Sequence, residues 1–437
     1  MASAVLHIKD SYYFDVPKFL WPSNRGQIKD FPDVWVRLDA DYQLWEAARI
    51  HGSIQKLDTA HTQSVPSWDE AREGYLHWKN DHANFAKPFD VYLESHAEWY
   101  ENVAKADGWE KSWASIKSKA EDLSAYDQQH DWSQEKIEAY NARLSGKILV
   151  PQPFGGKLKN FYEADSGFCL SKYMLVEFVV AVLIIAVFSW LGRRVATGKA
   201  PKGRLWNFLE VILLYFRDQV VRPTLGGHDD HDDHANDNSG HGHAHEDSSA
   251  PHPHATADAF LPLIWTLFVF ILGCNLMGMV PWVGAPTSSF SVTTCLACIT
   301  LGSGFLYGVS KLGPIGFAMN PLPSIDLAFM LSIVIKPMLL AIEWLGFFIK
   351  HGVLAVRLLA NMVAGHLVLA AIMGLAFGTA AAASFAGGPQ WQWGIVAVIA
   401  VFGSSAFSLL ELFVAFLQAY VFVFLSALFL AAATQKH

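Results

Sequence analysis

The chain has 437 residues, of which 52% are hydrophobic and 16% are charged, and its formal net charge is −8. This balance excludes a strongly basic surface, so we expect no nucleic acid partner. The average conceals two unlike parts: residues 1–165 are polar and rich in Trp and Tyr, whereas the chain from residue 172 is a series of apolar segments. We predict an all-α membrane protein with about five transmembrane helices and an additional, mainly helical, extramembrane N-terminal domain over 1–165.

The N-terminal domain has the pattern of short amphipathic helices. Charged residues alternate with spaced aromatics over 41–55 and 68–85, and Ser133 followed by Glu135 indicates a helix start. Nine of the sixteen tryptophans fall in this domain, either as a docking surface or as large side chains in a small core. The core is the simpler interpretation, and the pattern indicates no function. The N-terminus has no apolar segment, so we expect no cleavable signal peptide.

Residues 172–227 predict two different membrane elements. The first is a spanning helix from Tyr173 to about Gly192. A basic cluster follows it and places that end on the cytoplasmic side, so the N-terminal domain is expected outside. The second element, 204–223, alternates apolar and charged residues at helical spacing, which predicts an amphipathic helix in the membrane interface that ends at Pro223. The basic cluster consists of Arg193, Arg194, Lys199, Lys202 and Arg204.

Residues 228–257 form a loop rich in His and Asp. We interpret it as a flexible, solvated insert, with weak binding of zinc, nickel or copper as the alternative. Cys295 and Cys298 form a C-x-x-C pattern inside a presumed membrane helix, without a second pair. They are expected to be packing residues, and we predict no metal site and no cofactor.

Residues 258–437 predict the main membrane domain. Two spans, 260–280 and 289–309, are joined by a turn rich in Pro and Gly, and two much longer apolar runs follow at 326–377 and 395–432. A helix of 52 residues would be about 78 Å long, against a hydrocarbon core of about 30 Å. The long helices are therefore expected to tilt strongly, to break or to lie partly in the membrane plane. The candidate breaks are Pro337, Gly352 and Gly374.

A few ionisable residues interrupt the two long runs. A charge in mid-membrane costs several kcal/mol, so such residues are candidates for function. The alternative is a structural ion pair, such as Arg357 with Glu411. The ionisable residues in the two long runs are Lys336, Glu343, Lys350, His351, Arg357, His366 and Glu411.

Helical spacing orders these residues. Arg357 and Asn361 are four residues apart and share a face. His366 lies about 180° round the helix from Arg357, and Glu343 returns to within about 40° of the Arg357 face, roughly 21 Å away. These are the groups that a proton relay needs, together with one charge that cannot itself release a proton. The second long helix supplies a carboxylate and an amide seven residues apart, Glu411 and Gln418.

These segments resemble one family. Residues 357–367, RLLANMVAGHL, look like the arginine motif of F-type ATP synthase subunit a, and residues 411–424, ELFVAFLQAYVFVF, look like its last helix. The resemblance covers about 172–434, except for the His-rich loop, and the N-terminal domain is not a standard family part. Further matching segments, in family order, are GRLWNFLEVILLYFRDQV (203–220), FLPLIWTLFVF (260–270), CNLMGMVP (274–281), APTSSFSVT (285–293) and AIEWLGFFIKHGVLAVRLLANM (341–362).

The resemblance implies a role for each matching residue. Arg357 would be the stator arginine that faces the carboxylates of the rotating c-ring and blocks a proton shortcut. Asn361 and Gln418 would lie near it and position water and the arginine. His366 and Glu411 would line the half-channel open to the outer side.

Three further positions follow from the same resemblance. Glu343 would belong to the inner half-channel, and Asn275 would line the outer access route. His351 stands where many relatives have proline, which puts the bend before the arginine in question and offers an additional titrating group to the inner path.

The implied function is that of a proton-translocating stator subunit, which loads and unloads c-ring carboxylates through two offset half-channels and couples the proton motive force to ATP synthesis. The implied partners are the c-ring, subunit b, other ATP synthase subunits and the lipid bilayer. The chain contains no G-x-x-x-x-G-K-[ST] phosphate loop, so nucleotide chemistry is expected on partners. The expected location is the bacterial inner membrane, with the mitochondrial inner membrane as the alternative.

Two other functions remain open at this point. One is a secondary transporter of divalent metal with the His-rich loop as its sensor, which would require His and Asp clusters at helical spacing inside the membrane. The other is an anchoring membrane subunit dominated by its Trp-rich domain. The pattern leaves open whether the coupling ion is a proton or sodium, and whether the complex synthesises or hydrolyses ATP.

Overall fold

The computed structural model describes most of both parts of the chain, and these residues form two compact units. One unit is Ser11–Leu170, and the other contains Ser171–His437 together with Asp10. The 228–257 loop and residues 387–389, between the two long apolar runs, lie outside the described residues. The described residues are 10–57, 65–81, 84, 87–96, 115–117, 119–195, 203–225, 258–280, 282–320, 329–386 and 390–433.

The first unit consists of short helices with two small pairs of antiparallel strands, and it is called the extramembrane unit here after the sequence prediction. The strands contain only two or three residues each, too few to show an alternating pattern in the sequence. The helices are α1 (Asp33–Arg37), α2 (Ala40–Leu57), α3 (Trp68–Lys79), α4 (Phe89–His96), α5 (Leu123–Gln129) and α6 (Gln134–Leu144). Strand β1 (Tyr13–Asp15) pairs with β2 (Lys147–Leu149), and β3 (Lys157–Leu158) pairs with β4 (Ala164–Ser166).

Large aromatic side chains form the core of this unit. Tyr75 and Phe89 are fully buried, and their rings meet edge to face with centroids 5.2 Å apart. Trp78 stacks against Tyr75 at 6.3 Å and is also buried. Aromatic rings bury a large apolar area and gain from such geometry. This packing agrees with the interpretation of the Trp-rich segment as a small helical core.

Ser133 starts α6, as its sequence pattern predicts. Its Oγ accepts a hydrogen bond from the backbone N–H of Lys136 at 3.3 Å. The side chain therefore replaces one of the hydrogen bonds that the first turn of a helix lacks, and Glu135 adds negative charge near the positive end of the helix dipole.

The second unit, here called the membrane unit, contains five helices that are long and apolar enough to cross a bilayer, which confirms the all-α membrane fold. The spanning helices are α7 (Lys172–Val195), α10 (Leu261–Gly278), α11 (Phe290–Leu312), α13 (Phe329–Ala386) and α14 (Gln390–Ala432). The remaining elements are α8 (Arg204–Tyr215), a π-helical segment (Phe216–Val221), α9 (Arg222–Leu225), a 3₁₀ turn (Pro286–Ser288) and α12 (Pro314–Met319).

The amphipathic segment packs through its π-helical part. Phe216 is buried there, and its ring lies 4.5 Å from the ring of Phe268 on α10. Arg222 makes a bidentate ion pair with Asp258 at 2.8 and 3.0 Å. The predicted end at Pro223 is wrong by two residues, because proline occupies an early position of α9, where its missing N–H is tolerated.

Of the three possibilities for the first long helix, the break is the one that the structure excludes. Helix α13 continues for 58 residues through Pro337, Gly352 and Gly374. Proline removes one hydrogen bond, whereas a true break would leave several backbone groups unpaired in lipid, so a continuous helix is the cheaper solution. At about 1.5 Å per residue α13 is about 87 Å long, and strong tilt remains the prediction for it.

Helix α13 packs along α14, and α10 also packs on α14. Close approach at the turn after α10 depends on Gly278, where an added Cβ would lie only 2.4 Å from the Cβ of Ala285. The same Cβ would lie 3.2 Å from the Cε of Met362 on α13. Small residues let helices approach closely in membranes, and this position therefore fixes the turn against α13.

Candidate functional site

Helix α13 presents Arg357 at the edge of a buried stripe. Leu354 and Leu358, one turn before and one residue after it, are 2% and 1% exposed, respectively, and belong to the core of the membrane unit. Arg357 itself is partly exposed. Within the described part of the chain its guanidinium takes part in no ion pair or hydrogen bond. A permanent cation is therefore held by apolar packing of its helix and left available to a partner.

The structure brings His366 and Glu411 together across the two long helices. The Nδ1 atom of His366 lies 3.3 Å from Oε1 of Glu411, and their side chains are 12% and 5% exposed. Gly365 provides the space, because a Cβ there would lie 2.7 Å from the same Oε1 atom. The contact joins a carboxyl group to an imidazole, and each of these groups is able to accept and release a proton. This arrangement also differs from the alternative in which Glu411 forms an ion pair with Arg357.

Asn275 connects α10 to the turn of α14 that follows Glu411. Its side chain is fully buried, and its Nδ2 donates to the carbonyl oxygen of Ala415 at 3.2 Å. Its Oδ1 accepts a hydrogen bond from the hydroxyl of Thr287 at 2.8 Å. A buried amide held at both ends fixes the neighbouring helix, because an unpaired polar group would be costly there. The structure thus places Asn275 within one helical turn of the His366–Glu411 pair.

Asn361 and Gln418 are both partly buried, on α13 and α14 respectively. Among the described residues neither side chain hydrogen-bonds Arg357, so their roles near the arginine stay predictions. Both amides are able to donate and accept hydrogen bonds, which suits them to hold water.

Glu343 lies far from the buried pair on the first half of α13. Its carboxylate is 4.0 Å from the ammonium group of Lys350, and both side chains are 54% exposed. Such an exposed pair contributes little to stability. The assignment of Glu343 to the inner half-channel stays a prediction.

His351 is buried, in contrast to its neighbour Lys350. Its Nδ1 lies 2.9 Å from the backbone carbonyl of Phe347, and its ring packs against Phe347 and Phe429 with centroids 4.9 Å away in each case. Helix α13 continues through this position without interruption. The imidazole packs between two aromatic rings, one on each long helix. A role for His351 as an additional titrating group of the inner half-channel stays a prediction.

Sequence reasoning missed one carboxylate in the membrane unit. Glu177 lies on α7, five residues after the start of that helix, and is only partly exposed. It is the only acidic residue of α7, which was the available signal, because an acid inside a spanning helix is a functional candidate.

Metal binding has no support in the described part of the chain. Within the ranges that the structure describes, no group of three or more His, Cys, Asp or Glu side chains could hold a metal ion. Cys295 and Cys298 are free and exposed on the apolar surface of α11. The His-rich loop is outside these ranges.

Comparison with known proteins gives one consistent family. The family described as ATP synthase A chain matches residues 247–431. ATP synthase subunit a of Myxococcus xanthus (strain DK1622) is 31% identical over 261 residues, which are 60% of this chain and 71% of the relative. ATP synthase subunit a 2 of Chlorobaculum tepidum is 30% identical over 296 residues, 67% of this chain and 71% of the relative.

A third relative, ATP synthase subunit a of Anaeromyxobacter sp. (strain Fw109-5), is 30% identical over 285 residues. These are 61% of this chain, and the chain spans only 55% of that longer protein. The matched segment from 247 to 431 contains α10 to α14 almost completely, and with them the arginine, the His366–Glu411 pair and Asn275. The chain belongs to the ATP synthase subunit a family and is a multi-pass, all-α membrane protein.

Proposed function

We propose that this chain, as a proton-translocating subunit of the ATP synthase membrane sector, forms two offset half-channels that load and unload the carboxylates of a c-ring. The observation that carries the proposal is the arrangement on α13. One guanidinium is free of partners in the described part of the chain, and nine residues further on a buried imidazole contacts a carboxylate.

The His366–Glu411 pair is the proposed end of the outer half-channel. A proton that arrives there passes to a carboxylate of the ring. The neutral carboxyl then faces lipid at low cost, whereas its ionised form would not. The pair is buried against α14, so the transfer occurs away from bulk water.

Arg357 is proposed to separate the two half-channels. Its charge favours ionisation of the ring carboxyl, so the carboxyl releases its proton toward the inner side, where Glu343 is exposed. Because the guanidinium holds its own proton at any physiological pH, it does not pass one across. Asn361 and Gln418 are proposed to hold water beside it. Each charge that crosses 100 mV releases about 2.3 kcal/mol, so several protons are needed for each ATP.

The proposed partners are the c-ring, subunit b and the catalytic subunits, since this chain carries no phosphate loop. The relatives from Myxococcus, Chlorobaculum and Anaeromyxobacter favour the bacterial inner membrane over the mitochondrial one. The His-rich loop and the extramembrane unit are assigned no role in transport.

Two measurements test the proposal. The first is purification from native membranes, where we expect a c-ring and ATPase subunits to accompany the chain. The second is ATP-driven proton pumping in reconstituted vesicles, which we expect Arg357→Ala to abolish. A chain that purifies without a c-ring, or a variant that pumps normally, would remove the assignment.

A further inference from the structure

Glu177 lies on the packed face of α7, and the proposed mechanism does not use its carboxylate. Tyr173, one turn before it, and Val180, three residues after it, are 1% and 4% exposed, so Glu177 lies on the packed stripe of the helix. Its Oε1 atom is shielded from solvent and accepts no hydrogen bond from the described residues. A carboxylate in such a position is costly unless water or a proton satisfies it.

Two contacts fix the height of Glu177 against its neighbours. On one side, Val180 packs on Gly273 of α10 so closely that a Cβ at Gly273 would lie 2.8 Å from its Cγ1. On the other side, the hydroxyl of Tyr173 lies 3.1 Å from the hydroxyl of Ser288, in the 3₁₀ turn after α10. Glu177 lies between these two contacts along α7. It is therefore level with the last turns of α10.

A buried polar chain begins at that level and leads to the functional pair. Thr287 directly precedes Ser288, and its hydroxyl donates a hydrogen bond to Oδ1 of Asn275 at 2.8 Å. The Nδ2 of Asn275 donates in turn to the carbonyl oxygen of Ala415 at 3.2 Å. Glu411 lies one helical turn before Ala415 on the same helix. The side chains of Ser288, Thr287, Asn275 and Glu411 are all 5% exposed or less. Glu411 is the ionisable member of this set, and an ionisable group so deep in a membrane unit is a candidate for function.

The position of Glu177 along its helix suits proton uptake from outside. The basic residues at the other end of α7, Arg193 and Arg194, predict the cytoplasmic side there, so the start of α7 faces outward. Glu177 lies about 8 Å from that start. Asp10 accepts a hydrogen bond from the backbone N–H of Tyr173 at 3.3 Å and adds a second carboxylate at the same end.

Resting on the proposed function, we propose that Glu177 is a proton-access residue, which takes up protons from the outer side and passes them to water that the buried polar side chains of Ser288, Thr287 and Asn275 hold on the way to Glu411 and His366. Among the described residues, the charged and titratable groups near it are Asp10, near the N-terminus of the chain, Lys172 at the first position of α7, and Cys274 on α10. The Nζ atom of Lys172 lies 5.0 Å from the ring centroid of Tyr173.

The test is ATP synthesis in vesicles that contain the whole complex, with the outer face of the membrane sector toward the acidified interior. In Glu177→Gln we expect at least about a threefold lower rate at a near-neutral interior pH, because the amide binds no proton. We also expect the dependence on interior pH to move by about one pH unit toward acid. Glu177→Asp restores most of the rate, because it keeps the acid. The matched control is Met174→Gln, which introduces the same amide on the exposed face of α7.

Two results would overturn the proposal. One is a Glu177→Gln complex with the rate and pH profile of the unchanged protein. The other is Glu177→Asp that is as impaired as Glu177→Gln with an unmoved pH profile, which would indicate a purely structural role. Arg357→Ala is measured in parallel, because its loss of activity together with normal Glu177→Gln would reject only the role of Glu177. Normal activity of Arg357→Ala would reject the proposed function itself.

Discussion

Glu46 in the extramembrane unit and Glu411 in the membrane unit are buried to a similar degree, 7% and 5% exposed. Glu46 lies in a charge cluster that contains the ion pairs of Lys117 with Asp90 at 2.8 Å and of Arg37 with Glu121 at 3.8 Å. Burial, together with the charges of Glu121 and Asp90, raises the pKa of Glu46 to about 7.

Glu411, in contrast, has one ionisable neighbour across the helix interface, His366. The ionisable residues of α13 and α14 are spread along two long helices rather than gathered in a cluster. The difference shows that charge around Glu46 is neutralised within the fold, whereas the facing stripes of α13 and α14 keep single groups that remain able to exchange partners. Arg357 is the clearest example, because Arg37 has an internal carboxylate and Arg357 has none in the described residues.

Arg357→Ala is the change that tests this comparison most severely. We expect coupled proton pumping to fall by about 100-fold or more, because the positive charge that favours the ionised ring carboxylate is lost. A 100-fold change in rate corresponds to about 2.7 kcal/mol. Arg357→Lys is expected to restore little, since a compact ammonium does not reproduce the planar guanidinium. Acidification of vesicles by added ATP is the measurement. Normal pumping in the alanine variant would mean that the unpartnered arginine has no transport role.

Glu411→Gln tests the buried pair. We expect pumping to fall by about 10- to 100-fold, because the amide keeps the packing and loses the transferable proton. His366→Ala combined with Glu411→Gln is expected to cost little more than the single change, since both residues act in one transfer step. The control is Ser405→Ala, an exposed position on α14. Additive losses in the double variant would show that the two residues act separately.

Glu46→Gln tests the buried carboxyl group of the extramembrane unit. The folded-state pKa of Glu46, about 7, lies above its ordinary value of 4.5, so folding favours the neutral form. The corresponding stability is complete below about pH 4.5 and is lost as the pH rises through 7. The neutral amide is therefore expected to stabilise the extramembrane unit at pH 8 by up to about 3 kcal/mol, and not at pH 4.

Hydrogen exchange of α2 in the intact chain, compared at the two pH values, measures this effect. Glu138→Gln, at an exposed position, is the control. Proton pumping is expected to be unchanged in both variants. Destabilisation by Glu46→Gln at pH 8 would show instead that Arg37 and Lys117 hold Glu46 in its ionised form.

Glu343→Gln is expected to have the smallest effect. Its side chain is 54% exposed and lies 4.0 Å from Lys350, so water is able to replace it in part. We expect pumping to fall by about threefold or less and the stability to change by less than about 0.5 kcal/mol. Rates of ATP-driven acidification at several cytoplasmic-side pH values measure it. A loss as large as that of Glu411→Gln would show that the inner path has no alternative to Glu343.

The sequence was sufficient for the class of fold and for most helices. Apolar runs of about 20 residues or more predict spanning helices because lipid demands internal backbone hydrogen bonds. The arginine, the histidine and the glutamate were found for the same reason, since charges are rare in such runs. The short strands, the π-helical segment at 216–221 and the unbroken course of α13 were not predicted, because each depends on packing against other elements.

What the sequence by itself determined was therefore which residues are candidates, through the cost of burying charge in lipid and the length of each apolar run. Only the tertiary structure decided which candidates meet. It set His366 against Glu411, joined Asn275 to α14 and placed Glu177 level with the end of α10. Residues as far apart in the sequence as 275 and 415 are joined by a hydrogen bond because close helix packing, not sequence spacing, sets their distances.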